Sequence, residues 1–270
     1  MTTSHTEATY RQTSQPLAPT ALEPKPAGRY DLYPAFEVSA QSIHAGFDAI
    51  ATQLLAAQPT TLRLDGDVGV FWSHFTARLD EALQRQGITA RWLDVSEAMK
   101  DATAVDKLVE PCIGNDDPIF GTRFTGLLEE LFDEAKLRSL NAAQDETCTI
   151  LYGSGAALVN ATGPIAFVEV PKNEVQYRSA AGEVVNLGMT MPADPKAQYK
   201  RLYFVDWPVM NQHKKEIVEC VDWFIDEQHA ASPALVSGDE VRRTLDRLSR
   251  NVFRPRPWFS PGPCIGIYTF

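Results

Sequence analysis

The stretch Asp65-Gly66-Asp67-Val68-Gly69-Val70-Phe71-Trp72 has the spacing in this chain that most suggests chemistry. It lies between a short apolar run and an amphipathic one. A phosphate loop occupies that place, because backbone N–H groups and a helix N-terminus there can hold an anion. The nucleotide-binding form, G-x-x-x-x-G-K-[ST], also needs a lysine for the outer phosphates and a hydroxyl for magnesium. Here the glycines stand close together, the lysine and hydroxyl are not in the expected places, and Asp65 and Asp67 would repel phosphate. Two readings stay open: a structural turn, or an anion site in which Asp65, Gly66 and Gly69 meet the ligand.

Three other stretches offer polar groups. In DDPIFGTRFTG (116–126), Arg123 could clamp a phosphate or carboxylate with its planar guanidinium, or pair with Asp116 or Asp117 in an ordered loop. In PKNEVQYR, Lys172 and Arg178 fall where a strand gives way to a helix and could face a ligand, although Glu174–Arg178 is also an ordinary i,i+4 pair. Gly153-Ser154-Gly155 has part of a hydrolase elbow without its five-residue frame. None of the five histidines has an evident acidic partner in sequence. Arg242, Arg243, Arg247 and Arg250 mark the solvated side of a helix or a face for an acidic partner. No catalytic residue is assigned, and no histidine or cysteine spacing suits a metal.

The elements that must position these groups follow from periodicity. A helix is expected over 41–57, a strand over 61–64, a helix from Trp72 to its stop at Gly87, and a strand over 88–95. That succession is a βαβ unit of a parallel sheet. Further strands are expected at 146–153, 164–170 and 200–207, the last closed by Pro208. Helices are expected over LLEELFDEAKLRSL, KNEVQYRSAAG, PVMNQHKKEIVECVDWFIDEQ and SGDEVRRTLDRLSRNVF, the last with Ser237 and Glu240 as a capping box. The fold expected is α/β, a mainly parallel sheet flanked by helices. Residues 1–29, rich in Thr, Ser, Gln and Pro, read as a flexible arm, 30–253 as the domain and 254–270 as a linker-like tail.

Composition narrows the function. A formal charge of −10 over 270 residues disfavours a non-specific nucleic-acid binder. No apolar run reaches the ~20 residues that span a bilayer, and the N-terminus lacks a secretory pattern, so a cytoplasmic protein is expected.

Several stretches together resemble a known family. PKPAGRYDLYPAF, LRLDGDVGVFW, DDPIFGTRFTG, ILYGSGAAL, VPKNEVQYRSAAG, KRLYFVDWPVMNQHK, VDWFID and SRNVFRPRPWFSPGP, over roughly 24–263, are similar to the N-terminal half of bacterial two-domain proteins identified as class I mannose-6-phosphate isomerase. In that family a cupin half follows and carries zinc and the aldose–ketose chemistry. The resemblance therefore implies an accessory domain of an isomerase protein, itself non-catalytic, binding a phosphorylated small molecule or docking a cupin domain or chain. No cofactor is expected in this chain, and zinc only with the cupin half. More distantly, the order of elements resembles uridine-kinase-like P-loop proteins, which makes the fold a degenerate kinase-like one. The alternative this implies is a nucleoside or sugar kinase-like phosphotransferase with a non-standard phosphate loop, in which Lys172 and Arg178 would lie near the phosphates.

Overall fold

A computed structural model describes residues 11–18, 38–117, 119–140 and 148–250. The tail 254–270, and all of the arm 1–29 except 11–18, lie outside the described residues. Seven strands form one sheet: β1 (His44–Ala45), β2 (Thr61–Gly66), β3 (Ala90–Asp94), β4 (Cys148–Tyr152), β5 (Ile165–Glu169), β6 (Trp223–Asp226) and β7 (Ala234–Ser237). Their spatial order is β1-β7-β6-β5-β2-β4-β3. Pairs β3–β4, β4–β2, β2–β5 and β5–β6 are parallel, whereas β6–β7 and β7–β1 are antiparallel. The fold is thus the mainly parallel α/β arrangement expected, with an antiparallel edge.

The order decides where a ligand can sit. After β2 the chain fills one flank with β3 and β4, then crosses to the other with β5 and β6. Strand β2 lies at this reversal, and a crevice opens at the carboxyl ends of strands where the order reverses. Both faces are covered, so central strands read as nearly continuous apolar runs. Ile165, Ala166, Phe167 and Val168 of β5 are all buried, as are Leu62 and Leu64 of β2 and Ile150 of β4.

The covering helices are α1 (Phe47–Leu55), α2 (Trp72–Arg85), α3 (Ala102–Val109), α4 (Glu134–Ser139), α5 (Lys172–Ala180), α6 (Pro195–Arg201), α7 (Trp207–Ile217) and α8 (Gly238–Ser249). Helix α2 buries Phe75, Leu79 and Leu83, which recur every four residues, and Phe75 packs edge-on to Phe47 of α1. Ser237 caps α8 by accepting from Glu240 N. On α8, Arg243 and Arg250 pair with Glu240 and Asp246 of the same helix, and Arg242 pairs with Asp239 and also reaches the Val218 and Val221 carbonyls. No helix among the described residues is long and apolar enough to cross a membrane.

Four expectations need correction. The helix expected over 41–57 runs only over Phe47–Leu55, and His44–Ala45 before it pair with β7 as β1. Residues 200–207 form no strand: α6 runs through a π turn, Leu202–Asp206, into α7. The buried residues Leu202, Val205, Val209 and Met210 recur at three to four, which is a helical stripe. Pro208 closes nothing. It sits in the first turn after the π segment, where Trp207 N donates to Leu202 O five residues back, so the register has already shifted around the missing N–H. The long helix expected beyond it stops at Ile217, and Trp223–Asp226 becomes β6. LLEELFDEAKLRSL is also broken: Phe132 is extended and bridges Met99, and Asp133 caps a separate α4 by accepting from Ala135 N and Lys136 N.

Phe75 is fully buried against Phe47 of α1, whereas Phe120 is 67% exposed. Phe75→Ala should cost about 3–5 kcal/mol in urea unfolding, and Phe120→Ala within about 0.5 kcal/mol. Equal losses would contradict this core.

Candidate functional site

Asp65, the next-to-last residue of β2, is a buried carboxyl with four partners. Oδ1 accepts from Gly66 N at 2.7 Å and Gly155 N at 2.9 Å; Oδ2 accepts from Ala157 N at 2.8 Å and lies 2.7 Å from His213 Nε2. Asp65 therefore joins β2, the loop after β4, and α7. The Gly153-Ser154-Gly155 stretch follows from this anchor. Gly155 takes φ +100° and presents its N–H to Asp65. His213 has the acidic partner its sequence neighbourhood does not reveal, 148 residues away.

The bend that follows is shaped by packing. A Cβ on Gly66 would lie 2.8 Å from Val168 O and 3.0 Å from Trp72 Cζ2, and Gly69 takes φ +97°. Counted from Gly66, the bend has the length of a phosphate loop. Phe71, Trp72 and Ser73 stand in the sixth, seventh and eighth places, where that motif has Gly, Lys and Ser/Thr. The hydroxyl that seemed absent is therefore Ser73, in the first turn of α2, and counting eight residues from Gly66 would have found it. The lysine is replaced by tryptophan, and the indole packs against Gly66, Phe75 and Tyr152.

The cations near the bend are engaged by the protein. Arg178 is 0% exposed. It donates to Gly69 O at 2.8 Å, Glu174 Oε1 at 2.9 Å, Glu227 Oε2 at 2.6 Å and Glu227 O at 2.9 Å, and it stacks 3.9 Å from the Phe71 ring centroid. Glu174 is also held by Arg11, at 2.6 and 2.8 Å, which brings the segment 11–18 onto α5. Lys172 Nζ donates to Asn211 Oδ1 at 3.0 Å, and burial lowers its pKa. Lys214 Nζ pairs with Glu169 Oε1 at 2.5 Å. Arg123 is exposed, and its loop is tied to α6–α7 by Phe124 N donating to Phe204 O.

Among the six residues proposed from sequence, Asp65, Gly66, Gly69 and Arg178 gather at the bend. Lys172 stands beside them at the carboxyl end of β5, and Arg123 lies apart. A cleft of about 640 Å³ opens here, and of the six only Gly69 lines it. Its other polar lining includes Asp67, Ser73, His74, Asp94, Asp101 and Asn186. Asp67, Ser73 and His74 come from the bend and the start of α2, whereas Asp94, Asp101 and Asn186 come from segments that no sequence spacing joins to it. Helix α2 presents its N-terminus to the cleft, and Phe71 at the N-cap position supplies no side-chain hydrogen bond to it. No group of three or more His, Cys, Asp or Glu among the described residues is placed to hold a metal ion.

Asp67 is the cleft residue with the most altered acidity. Burial lifts its carboxyl to about 7, Glu169 adds to the rise, and Lys214 and Lys172 oppose it. Behind the cleft wall, burial likewise raises Asp206 to about 6, against Arg201 and Asn186. The folded chain holds both protons more tightly than the unfolded chain does. Their contribution to stability is therefore complete below about pH 4 and is lost as pH rises through about 6 to 7. Asp117, Asp133 and Asp239 are held low by hydrogen bonds and titrate outside that window.

Two measurements follow. The melting temperature should fall between pH 5 and pH 8, by about 2–4 °C per kcal/mol lost, and Asp67→Asn should flatten the profile; an unchanged slope in that variant would remove Asp67 as its source. Asp65→Ala should cost about 3–5 kcal/mol, because it leaves buried donors unpaired, and Asp65→Asn should recover part of the loss. Near-neutral unfolding of the alanine variant would contradict the anchor.

No curated protein matches this chain. Among solved structures, the "putative fructose transport system kinase" of Silicibacter sp. TM1040 is similar at 15% identity, over 63% of this chain and 94% of that one, with a TM-score of 0.42. The fold assignment above stands on the strand order. Neither that structure nor the matching family is described as a mannose-6-phosphate isomerase. Residues 46–250 match the family described as "Domain of unknown function (DUF8485)", so the chain belongs to that family.

Proposed function

We propose that this chain is a ligand-binding domain of kinase-like topology, which holds a small polar molecule in the cleft at the carboxyl ends of β2 and β4 and does not transfer phosphoryl groups. The observation that carries this reading is Trp72. Its indole packs on Gly66 and Tyr152 in the place from which a phosphate-loop lysine would reach the outer phosphates. Without that cation, the charge that develops on a transferred phosphoryl group is not balanced. Arg178 and Lys172 do not substitute for it, since both donate to protein oxygens. The cleft volume suits a small molecule, within the ~300–1,000 Å³ usual for such sites.

A phosphotransferase with a non-standard loop is the second reading. It is favoured by Ser73 in the hydroxyl position and by the reversal of strand order at β2. The finer role, an accessory domain beside a cupin partner of a mannose-6-phosphate isomerase, is supported by the sequence resemblance alone.

The test is a thermal-shift panel of sugars, sugar phosphates, amines and nucleotides, run beside an assay for ADP formation from ATP and magnesium. A ligand that binds the folded chain must raise its melting temperature, by an amount set by concentration over Kd. We expect a shift from at least one small polar compound, its loss in Ser154→Trp, which fills the cleft, and no ADP above background. ADP formation that disappears in Ser73→Ala would establish the second reading. A shift specific to mannose 6-phosphate or fructose 6-phosphate would favour the accessory role. Ligand shifts that survive Ser154→Trp would move the site elsewhere.

A further inference from the structure

The charges around the cleft are unequal. Asp67, Asp94, Asp101 and Glu183 all line it, while the lysine in its wall is Lys100. Lys100 Nζ donates to Glu130 O at 2.6 Å. Lys172, Lys214 and Arg178, the cations nearest the bend, are tied to Asn211, Glu169 and the Gly69 carbonyl. The acceptors are only partly used. Asp94 is taken up by Ser96 N and by the Tyr152 hydroxyl, whereas Asp101 takes Ala104 N through Oδ1. Glu183 Oε1 takes Gln12 N, while its Oε2 is buried without a hydrogen-bond partner among the described residues.

A second and independent feature lies in the same wall. Asn186 is 2% exposed and lines the cleft. Its Nδ2 donates to Asp206 Oδ2 at 2.6 Å, and its Oδ1 has no partner among the described residues. A buried acceptor left unpaired costs about 1–3 kcal/mol, so this oxygen calls for a donor. Trp72, also in the lining, is an aromatic ring, a group that attracts cations. The α2 N-terminus works the other way, but it amounts to roughly half a positive charge.

The geometry points to a small organic cation as the ligand of this cleft, an amine whose N–H donors meet Asp101, Glu183 and the Asn186 amide oxygen. This deepens the ligand-binding reading above and rests on it. An ammonium brings three donors and no acceptor, which complements a wall rich in acceptors. A phosphorylated compound brings acceptors and negative charge to the same wall, so the phosphate ligand expected from sequence fits it poorly. Hydroxyls are compatible, since each can donate to a carboxylate.

The experiment uses the full chain at pH 8 and low salt, with ethanolamine, spermidine and glucosamine as amine probes and glucose and glucose 6-phosphate as matched neutral and anionic probes. Binding is read by calorimetry and thermal shift. At least one amine should bind, and glucosamine should bind about tenfold more tightly than glucose, the size of one charge-assisted hydrogen bond. Glu183→Gln and Asp101→Asn should each weaken the amine about tenfold, and added salt should weaken it further. Both substitutions keep the side-chain shape, and unchanged melting without ligand shows that each variant folds. Failure of all three amines to bind overturns the inference, as does amine binding that neither variant alters. If glucose or glucose 6-phosphate binds in a way that Ser154→Trp abolishes while the amines do not, the cationic assignment falls and the cleft remains a ligand site.

Discussion

The architecture of the site depends on one buried carboxyl. Moving an acidic group out of water costs several kcal/mol unless its lone pairs are met, and Asp65 meets them with three backbone N–H groups and the His213 ring. Those partners come from β2, the loop after β4 and α7. The strand that lies at the reversal of sheet order is thus fastened to the segments on either side of it. Gly155 is left-handed because its N–H must turn toward Asp65. Gly66 lacks a Cβ because Val168 and Trp72 close on it. The glycines that resemble a phosphate loop in sequence are accounted for by backbone conformation and close packing around this anchor.

The central βαβ unit was legible because its two periods are distinct. Phe75, Leu79 and Leu83 repeat every four residues, and a short β2 precedes them across a glycine turn. The edges were not. Strand β1 has two residues and β7 has four, too few for a period to register. Residues 200–207 contain enough apolar and aromatic side chains to pass for a strand, and a proline after them looks like a stop. The helical stripe emerges only when Val209, Met210 and His213 are counted with Leu202 and Val205, across a π turn that a local pattern does not announce.

The polar site was legible in its backbone and hidden in its side chains. Sequence put Asp65, Gly66 and Gly69 in a βα turn and Lys172 and Arg178 after another strand's carboxyl end, and such ends line one crevice in an open parallel sheet. It could not say that Arg178 would be enclosed between Glu174 and Glu227 or that His213 would reach Asp65, since those pairs are fixed by how α5 and α7 pack. The Glu174–Arg178 pair was visible as an i,i+4 spacing. Its extension to Arg11, 163 residues from Glu174, was not.

That extension explains why the bend is poor in free positive charge. Arg11, Glu174, Arg178 and Glu227 form an alternating series that ends on the Gly69 carbonyl. Each arginine is held by an acidic side chain. A guanidinium with this many donors engaged in a buried setting does not leave them without exposing unpaired carboxyls, which is costlier than the original pairing. Rotating Arg178 outward would leave Glu174 to Arg11 alone and strip Glu227 and Gly69 O of its donors. Arg178 therefore stays turned inward, and Asp94, Asp101 and Glu183 line the cleft without an arginine among them.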